Sequence, residues 1–136
     1  MIIICAIVIA VSAYFIASDS SPYANRIIPE IANQKPGFAI QLLQLKKENR
    51  LIAHSSFFER LSGGKEDEYF FVPIISYEIK TDSLIAEKFI DEGVTERISF
   101  PLLKLAEHPV VNQKFLLGTD KFGRDIASRL IVGTRV

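Results

Sequence analysis

The first charged residue of this chain is Asp19, and every acidic or basic residue lies at or after it. Residues 1–17, MIIICAIVIAVSAYFIA, form an uncharged and almost wholly apolar run. As a helix such a run would be about 25 Å long, against roughly 30 Å for a bilayer core. That length lies between a signal-peptide core and a full membrane span. A secretory signal would begin with a basic segment and end in small residues, whereas this run has no basic residue and places Phe15 two positions before Ala17. Cys5 follows Ile2-Ile3-Ile4, which is no lipoprotein cleavage context. The expectation is a transmembrane helix over 1–18 in contact with membrane lipid. Tyr14 would then lie at the interface, and Ser20-Ser21-Pro22 would form the exit.

Balanced charge, with Lys+Arg 16 and Asp+Glu 16, argues against nucleic acid as a partner. Cys5 is the only cysteine, and His54 and His108 stand far apart, so neither a disulfide nor a metal centre is expected. No cofactor is expected either.

Residues 19–115 have the composition of a small α+β domain. Pro22, Pro29, Pro36 and Gly37 limit residues 23–32 to a short helix at most. GFAIQLLQLKK predicts a strand, and SSFFERLSGG, residues 55–64, a short amphipathic helix stopped by glycine. YFFVPIISYEIK and SLIAEKFI predict a β-hairpin turning near Thr81-Asp82. Ile75, Tyr77 and Ile79 share one face and are expected to be buried, while Pro73 belongs at an edge or a bulge. Asp91-Glu92-Gly93 reads as a loop. ERISFPLLKLAEH fits either strand or helix, with Pro101 able to start a short helix running to Ala106.

The candidate sites in this region are weak. Glu66-Asp67-Glu68 lacks the alternating spacing of a cation loop and reads as solvated. Ser55-Ser56 beside His54 has no nucleophile-elbow context. Gly118 and Gly123 have P-loop spacing, but Arg124-Asp125 replaces the Lys and Ser/Thr that hold phosphate and magnesium. No catalytic residue emerges, and the chain is not expected to be an enzyme.

Residues 116–136 are more specific. Thr119 and Asp120 are cap-type residues, Gly123 permits a tight turn, and a helix is expected from Arg124 onward. Asp125 and Arg129 are spaced for an i,i+4 ion pair. Ile126, Leu130 and Gly133 would form its apolar, close-packing stripe, with Arg124, Ser128 and Arg135 on the polar side. Spacing alone suits equally a helix lying on a membrane surface and the terminal helix of a soluble domain.

The pattern Leu117-Gly118-Thr119-Asp120, Gly123-Arg124-Asp125, Ser128-Arg129-Leu130, Gly133 and Arg135 resembles the form LGTDxxGRDxxSRLxxGxRxSL. That signature opens the permease domain in the second membrane subunit of peptide/nickel-type ABC importers. The resemblance implies a multi-pass inner-membrane permease that forms part of a translocation pore, with its N-terminus in the cytoplasm and residues 19–136 largely extracytoplasmic. It further implies that the motif lies at the pore mouth and leads into the next membrane span. The implied partners are a homologous permease subunit, cytoplasmic ATPase subunits that hydrolyse ATP, and an extracytoplasmic solute-binding protein. Two features depart from the family. The segment between helix and motif is much longer than usual, and the later membrane helices and cytoplasmic coupling loop are absent, as in an N-terminal fragment. The alternative reading is a free-standing single-pass membrane protein whose outer domain binds or scaffolds a partner.

Overall fold

The computed structural model describes residues 1–19, 21, 24–47 and 67–134, the side chain of Tyr14 excepted. Helix α1 (Ile2–Ile16) is followed by an irregular stretch holding a 3-10 turn (Pro29–Ile31). Five strands come next: β1 (Phe38–Lys46), β2 (Tyr69–Ile79), β3 (Ser83–Asp91), β4 (Val94–Pro101) and β5 (Leu105–Phe115). A 3-10 turn (Leu102–Lys104) links the last two, and helix α2 (Ile126–Gly133) closes the described chain. This is an α+β fold built on one antiparallel sheet of order β4-β3-β2-β1-β5. The exit at Ser20–Pro22, His54, the helix expected over 55–64, Glu66 and Arg135 involve positions outside the described residues.

The connection between β4 and β5 dictates the shape of the sheet. These strands lie on opposite edges, which would stand about 19 Å apart if five strands lay flat. Only four peptide steps separate Pro101 from Leu105, a reach of at most roughly 14 Å. The sheet must therefore curl, and its concave side becomes a core fed by every strand. Leu43, Ile74, Leu84, Ala86 and Leu105 are buried there, with Ile98, Phe100 and Val110 packed around them. The opposite side carries Leu42, Phe89 and Phe115, covered by Ile28 and Ile31 from the irregular stretch. Leu42 and Leu43 thus serve two cores from adjacent positions, as strand alternation requires. A salt bridge of 2.8 Å between Lys88 and Glu30 ties β3 to the covering segment.

The predicted hairpin is present, with Lys80 N–H donating to the Ser83 carbonyl at 2.8 Å across the turn. The Glu92-Gly93 turn joins β3 to β4, with Gly93 in the left-handed region that suits a tight hairpin. One expectation requires correction. Ile75, Tyr77 and Ile79 are largely exposed: a register shift between Ile74 and Ser76 leaves Ile75 out of the β2–β3 ladder, and β2 runs on past its last pairing with β1, at the buried Ile74. For ERISFPLLKLAEH the strand alternative holds: Val94–Pro101 and Leu105–Phe115 are strands, and the short helix allowed from Pro101 to Ala106 is only a 3-10 turn at Leu102–Lys104. Pro73 pairs with Leu42 of β1, but the β2–β3 ladder starts only at Ile74, so its missing N–H costs no ladder bond on that side.

Helix α1 exposes Ile3, Ile4, Ile7, Val8, Val11 and Phe15 and has no polar face. It is a 15-residue helix. No helix among the described residues is long and apolar enough to cross a membrane.

The unequal burial in β2 gives a direct test. Ile74→Ala should cost roughly 2–5 kcal/mol of unfolding free energy, as expected for a closely packed site. Ile79→Ala should cost under about 1 kcal/mol. Urea unfolding of the two variants measures both, and equal losses would contradict the burial pattern.

Candidate functional site

The motif folds as a compact staple between β5 and α2. After Phe115 the chain turns at Gly118, whose φ of +74° favours glycine. A Cβ at Gly118 would lie 2.1 Å from the Gln34 carbonyl oxygen, so the two backbones meet without room for a side chain. That approach lets Thr119 N–H donate to Gln34 O at 3.1 Å, and Gln34 N–H donate to Thr119 Oγ1 at 2.9 Å. The Thr119 hydroxyl then donates to the Ile31 carbonyl, and Asn33 N–H donates to Asp120 O at 2.9 Å. Gly123 repeats the device, with φ of +73° and a virtual Cβ only 1.8 Å from the Ile28 carbonyl oxygen.

Between the two glycines, Asp120 organises the turn. Its Oδ1 accepts from Phe122 N–H at 2.9 Å and Arg124 N–H at 3.0 Å. Its Oδ2 accepts from Arg124 Nε at 2.7 Å, and Arg129 approaches the same oxygen at 3.9 Å. Partial burial, the largest single influence, pushes the Asp120 pKa up, but the hydrogen bonds and charge of Arg124 outweigh it and the net shift is downward.

Helix α2 starts at Ile126 with Asp125 as its cap, two residues later than the sequence suggests. Asp125 Oδ1 accepts from Ala127 N–H at 3.1 Å, and Oδ2 accepts from the Ser128 hydroxyl at 2.6 Å. The carboxylate is thus engaged with α2's first turn, and the structure records Arg129 with Asp120 in place of the expected Asp125–Arg129 pair. The expected stripe is likewise rotated. Ser128 and Val132 face inward, Leu130 is exposed, and a Cβ added at Gly133 would meet nothing within 4 Å. Val132 packs with Ala13 of α1, with Ala17 at its C-cap and with Ala24, all small residues that admit close approach.

Ser128 also accepts from Asp19 N–H at 3.0 Å, joining the residue just after α1 to the cap of α2. Asp19 is itself buried, its carboxylate accepting from Ser21 N–H at 2.9 Å and Arg26 N–H at 3.0 Å. The Arg26 guanidinium completes the cluster. It donates to both carboxylate oxygens of Asp67, at 2.7 and 2.5 Å, and stacks 4.0 Å from the centroid of Phe71. Burial acts most strongly on Arg26 and lowers its pKa, but the bond to Asp67 and the charges of Asp19, Asp67 and Asp125 raise it by more, leaving the cation secure.

Asp67 is therefore no solvated loop residue; its backbone carbonyl also accepts from Lys47 Nζ at 2.7 Å. Asp19, Asn25 and Arg26 stand in no recognisable pattern, although Asp19 is signalled as the first charge after the apolar run, and nothing near Asp67 in sequence points to its partner Arg26, 41 residues away. The structure brings together Gly118, Thr119, Asp120, Gly123, Arg124, Asp125 and Ser128. Arg129 and Gly133 lie at its margin, and Arg135 is outside the described residues. Among the described residues no group of three or more His, Cys, Asp or Glu is arranged to hold a metal. The arrangement is a positioning device made of saturated hydrogen bonds, with every buried side-chain nitrogen and oxygen among the described residues satisfied.

Two substitutions probe it. Gly118→Ala must adopt a left-handed backbone and push against Gln34, so a loss above about 2 kcal/mol is expected in urea unfolding. Asp120→Asn should cost about 1 kcal/mol at pH 7. Because the folded pKa of Asp120 is depressed, its contribution is full above the unfolded value of about 3.9 and fades as pH falls through the lower folded value. The gap between wild type and Asp120→Asn should therefore narrow at pH 3, whereas a constant gap would show that the charge is not responsible.

No family model, curated protein or solved structure matches the chain.

Proposed function

We propose that these residues are the opening part of a permease subunit of an ABC importer for peptides or related small solutes. In this reading α1 is the first membrane helix, the curled sheet is an extracytoplasmic insert, and the motif feeds the next span. ATP is hydrolysed by separate cytoplasmic subunits, and a homologous permease and a solute-binding protein complete the assembly. The observation that carries the reading is the packing of α2 against the end of α1 through Ala13, Ala17 and Val132. A motif that steers the chain back to its first membrane helix is what a following span would require. The exposed, all-round apolar surface of α1 supports contact with lipid. The saturated polar cluster supports a structural role for the motif, without catalysis.

The test is biochemical. The native protein carrying these residues, solubilised from membranes with mild detergent, should copurify with cytoplasmic ATPase subunits, and alkaline carbonate should not extract it. Release by carbonate would end the membrane reading. Retention in the membrane without ATPase subunits, together with a stop codon directly after Val136, would identify a free-standing single-pass protein.

A further inference from the structure

β1 and β2 pair from Lys46 with Tyr69 only as far as Gln41 with Ile74. Beyond that point they part. Phe38, Ala39 and Ile40 remain on β5, while Ser76 to Ile79 remain on β3. The hydrogen bond from Lys80 N–H to Ser83 O sets the alternation along the β2–β3 ladder. Lys80, Glu78 and Ser76 direct their backbone groups to β3, so Tyr77 and Ile79 direct theirs away from it, toward the space that β1 has left. Among the described residues, that side of β2 has no strand partner.

Natural sheets usually guard such an edge with charge or proline. Here Tyr77 and Ile79, whose outward backbone groups have no strand partner among the described residues, have largely exposed side chains, as does Ile75. The parting strands open a groove of about 520 Å³, within the roughly 300–1,000 Å³ typical of ligand sites. Its lining is mainly apolar, with Phe38, Ile40, Ile75 and Phe89, and among the described residues Lys114 is the one charged group that lines it. On β2 the groove's lining reaches Ile75, and the outward backbone groups of Tyr77 and Ile79 continue from there along the same strand; apolar walls, one cation and that backbone row are complementary to an extended peptide.

We propose that this groove accepts an extended polypeptide segment by strand addition. The segment pairs with Tyr77 and Ile79, lays alternate apolar side chains against Phe38, Ile40 and Ile75, and brings a carboxylate to Lys114. Main-chain bonds supply affinity, and the apolar walls with Lys114 supply selectivity. The inference stands on the sheet alone and does not depend on the permease reading.

The test uses the full chain, isotopically labelled and dispersed in nonionic detergent, titrated with a hexapeptide of alternating Thr and Val that ends in a free carboxylate. Saturable amide shift changes are expected at residues 38–40, 74–79 and 112–114, with slowed hydrogen exchange at Tyr77 and Ile79. Methylating alternate peptide nitrogens should weaken binding roughly tenfold or more, since each lost hydrogen bond of ordinary strength is worth about that factor. Amidating the carboxylate should weaken it several-fold in the wild type and not in Lys114→Glu. Ile79→Pro removes an outward N–H that bonds to nothing in β3, so it should lose the peptide while keeping its melting temperature; if it fails to fold, the methylated peptide decides. No saturable shifts at millimolar peptide would overturn the proposal. So would equal binding of the methylated peptide, which indicates apolar adsorption, or protection of Tyr77 and Ile79 that grows with protein concentration alone, which indicates pairing with a second copy.

Discussion

The Ser128 hydroxyl is where the two ends of the described chain are joined. It accepts from the backbone at Asp19 and donates to the carboxylate of Asp125, and all three residues are buried. In a low-dielectric setting a hydrogen bond of this kind is strong when made and costly when missing. The cap of α2 and the exit of α1 are thereby held to one geometry. The small side chains at Ala13, Ala17 and Ala24 then allow Val132 to close the gap between the helices. A change at Ser128 would act on both helices together, since one oxygen serves both.

Arg26 settles the charge around this node. Asp19, Asp67 and Asp125 would otherwise repel one another in a poorly solvated place, and the guanidinium supplies a planar cation with two directed bonds to Asp67. Its face rests on Phe71 of β2, which joins the node to the sheet. On the other side of the motif, Arg124 bonds Asp120 and reaches Asn25 at 2.9 Å. The two arginines thus attach the motif and the sheet to the same short stretch after α1. Backbone contacts at Gly118 and Gly123 supply the rest.

The hairpin of β2 and β3 was legible because β-branched and aromatic residues there crowd both sides of an obvious turn. How far along β2 burial extends was not legible, nor was the register shift at Ile75. Burial of Ile74 and exposure of Tyr77 and Ile79 follow from where β1 leaves β2, and exposure of Ile75 from that shift, non-local events that period-2 patterning cannot register. β5 was missed for a related reason: its polar run Asn112-Gln113-Lys114 and the Pro109 within it look unlike a strand, and pairing with β1 overrides local propensity. In the motif, the turn at Gly123 was readable. The helix start was not, because Thr119, Asp120 and Asp125 are all cap-type residues and only the contacts with residues 31–34 show that Thr119 is occupied elsewhere. Pairing Asp125 with Arg129 followed from helical spacing, but a cap carboxylate is already spent on its own first turn.

The same node accounts for how so long a segment can lie between a first helix and the motif. Asp19 and Ser128 are 109 residues apart in sequence and in direct hydrogen-bond contact. The chain leaves α1, builds the curled sheet, and returns to its starting point. The entropic cost of closing a loop grows only with the logarithm of its length, so each doubling adds about 0.6 kcal/mol. A loop that folds into its own core repays that cost internally, through the buried residues of both sheet faces. The relative placement of α1 and α2 is then set by Ser128, Asp125 and the alanines, and the size of what lies between has little leverage on it. In the proposed permease, the unusual length of this insert therefore leaves the path from the first span to the next one unchanged. What it adds there is a sheet, one strand edge of which has no partner among the described residues.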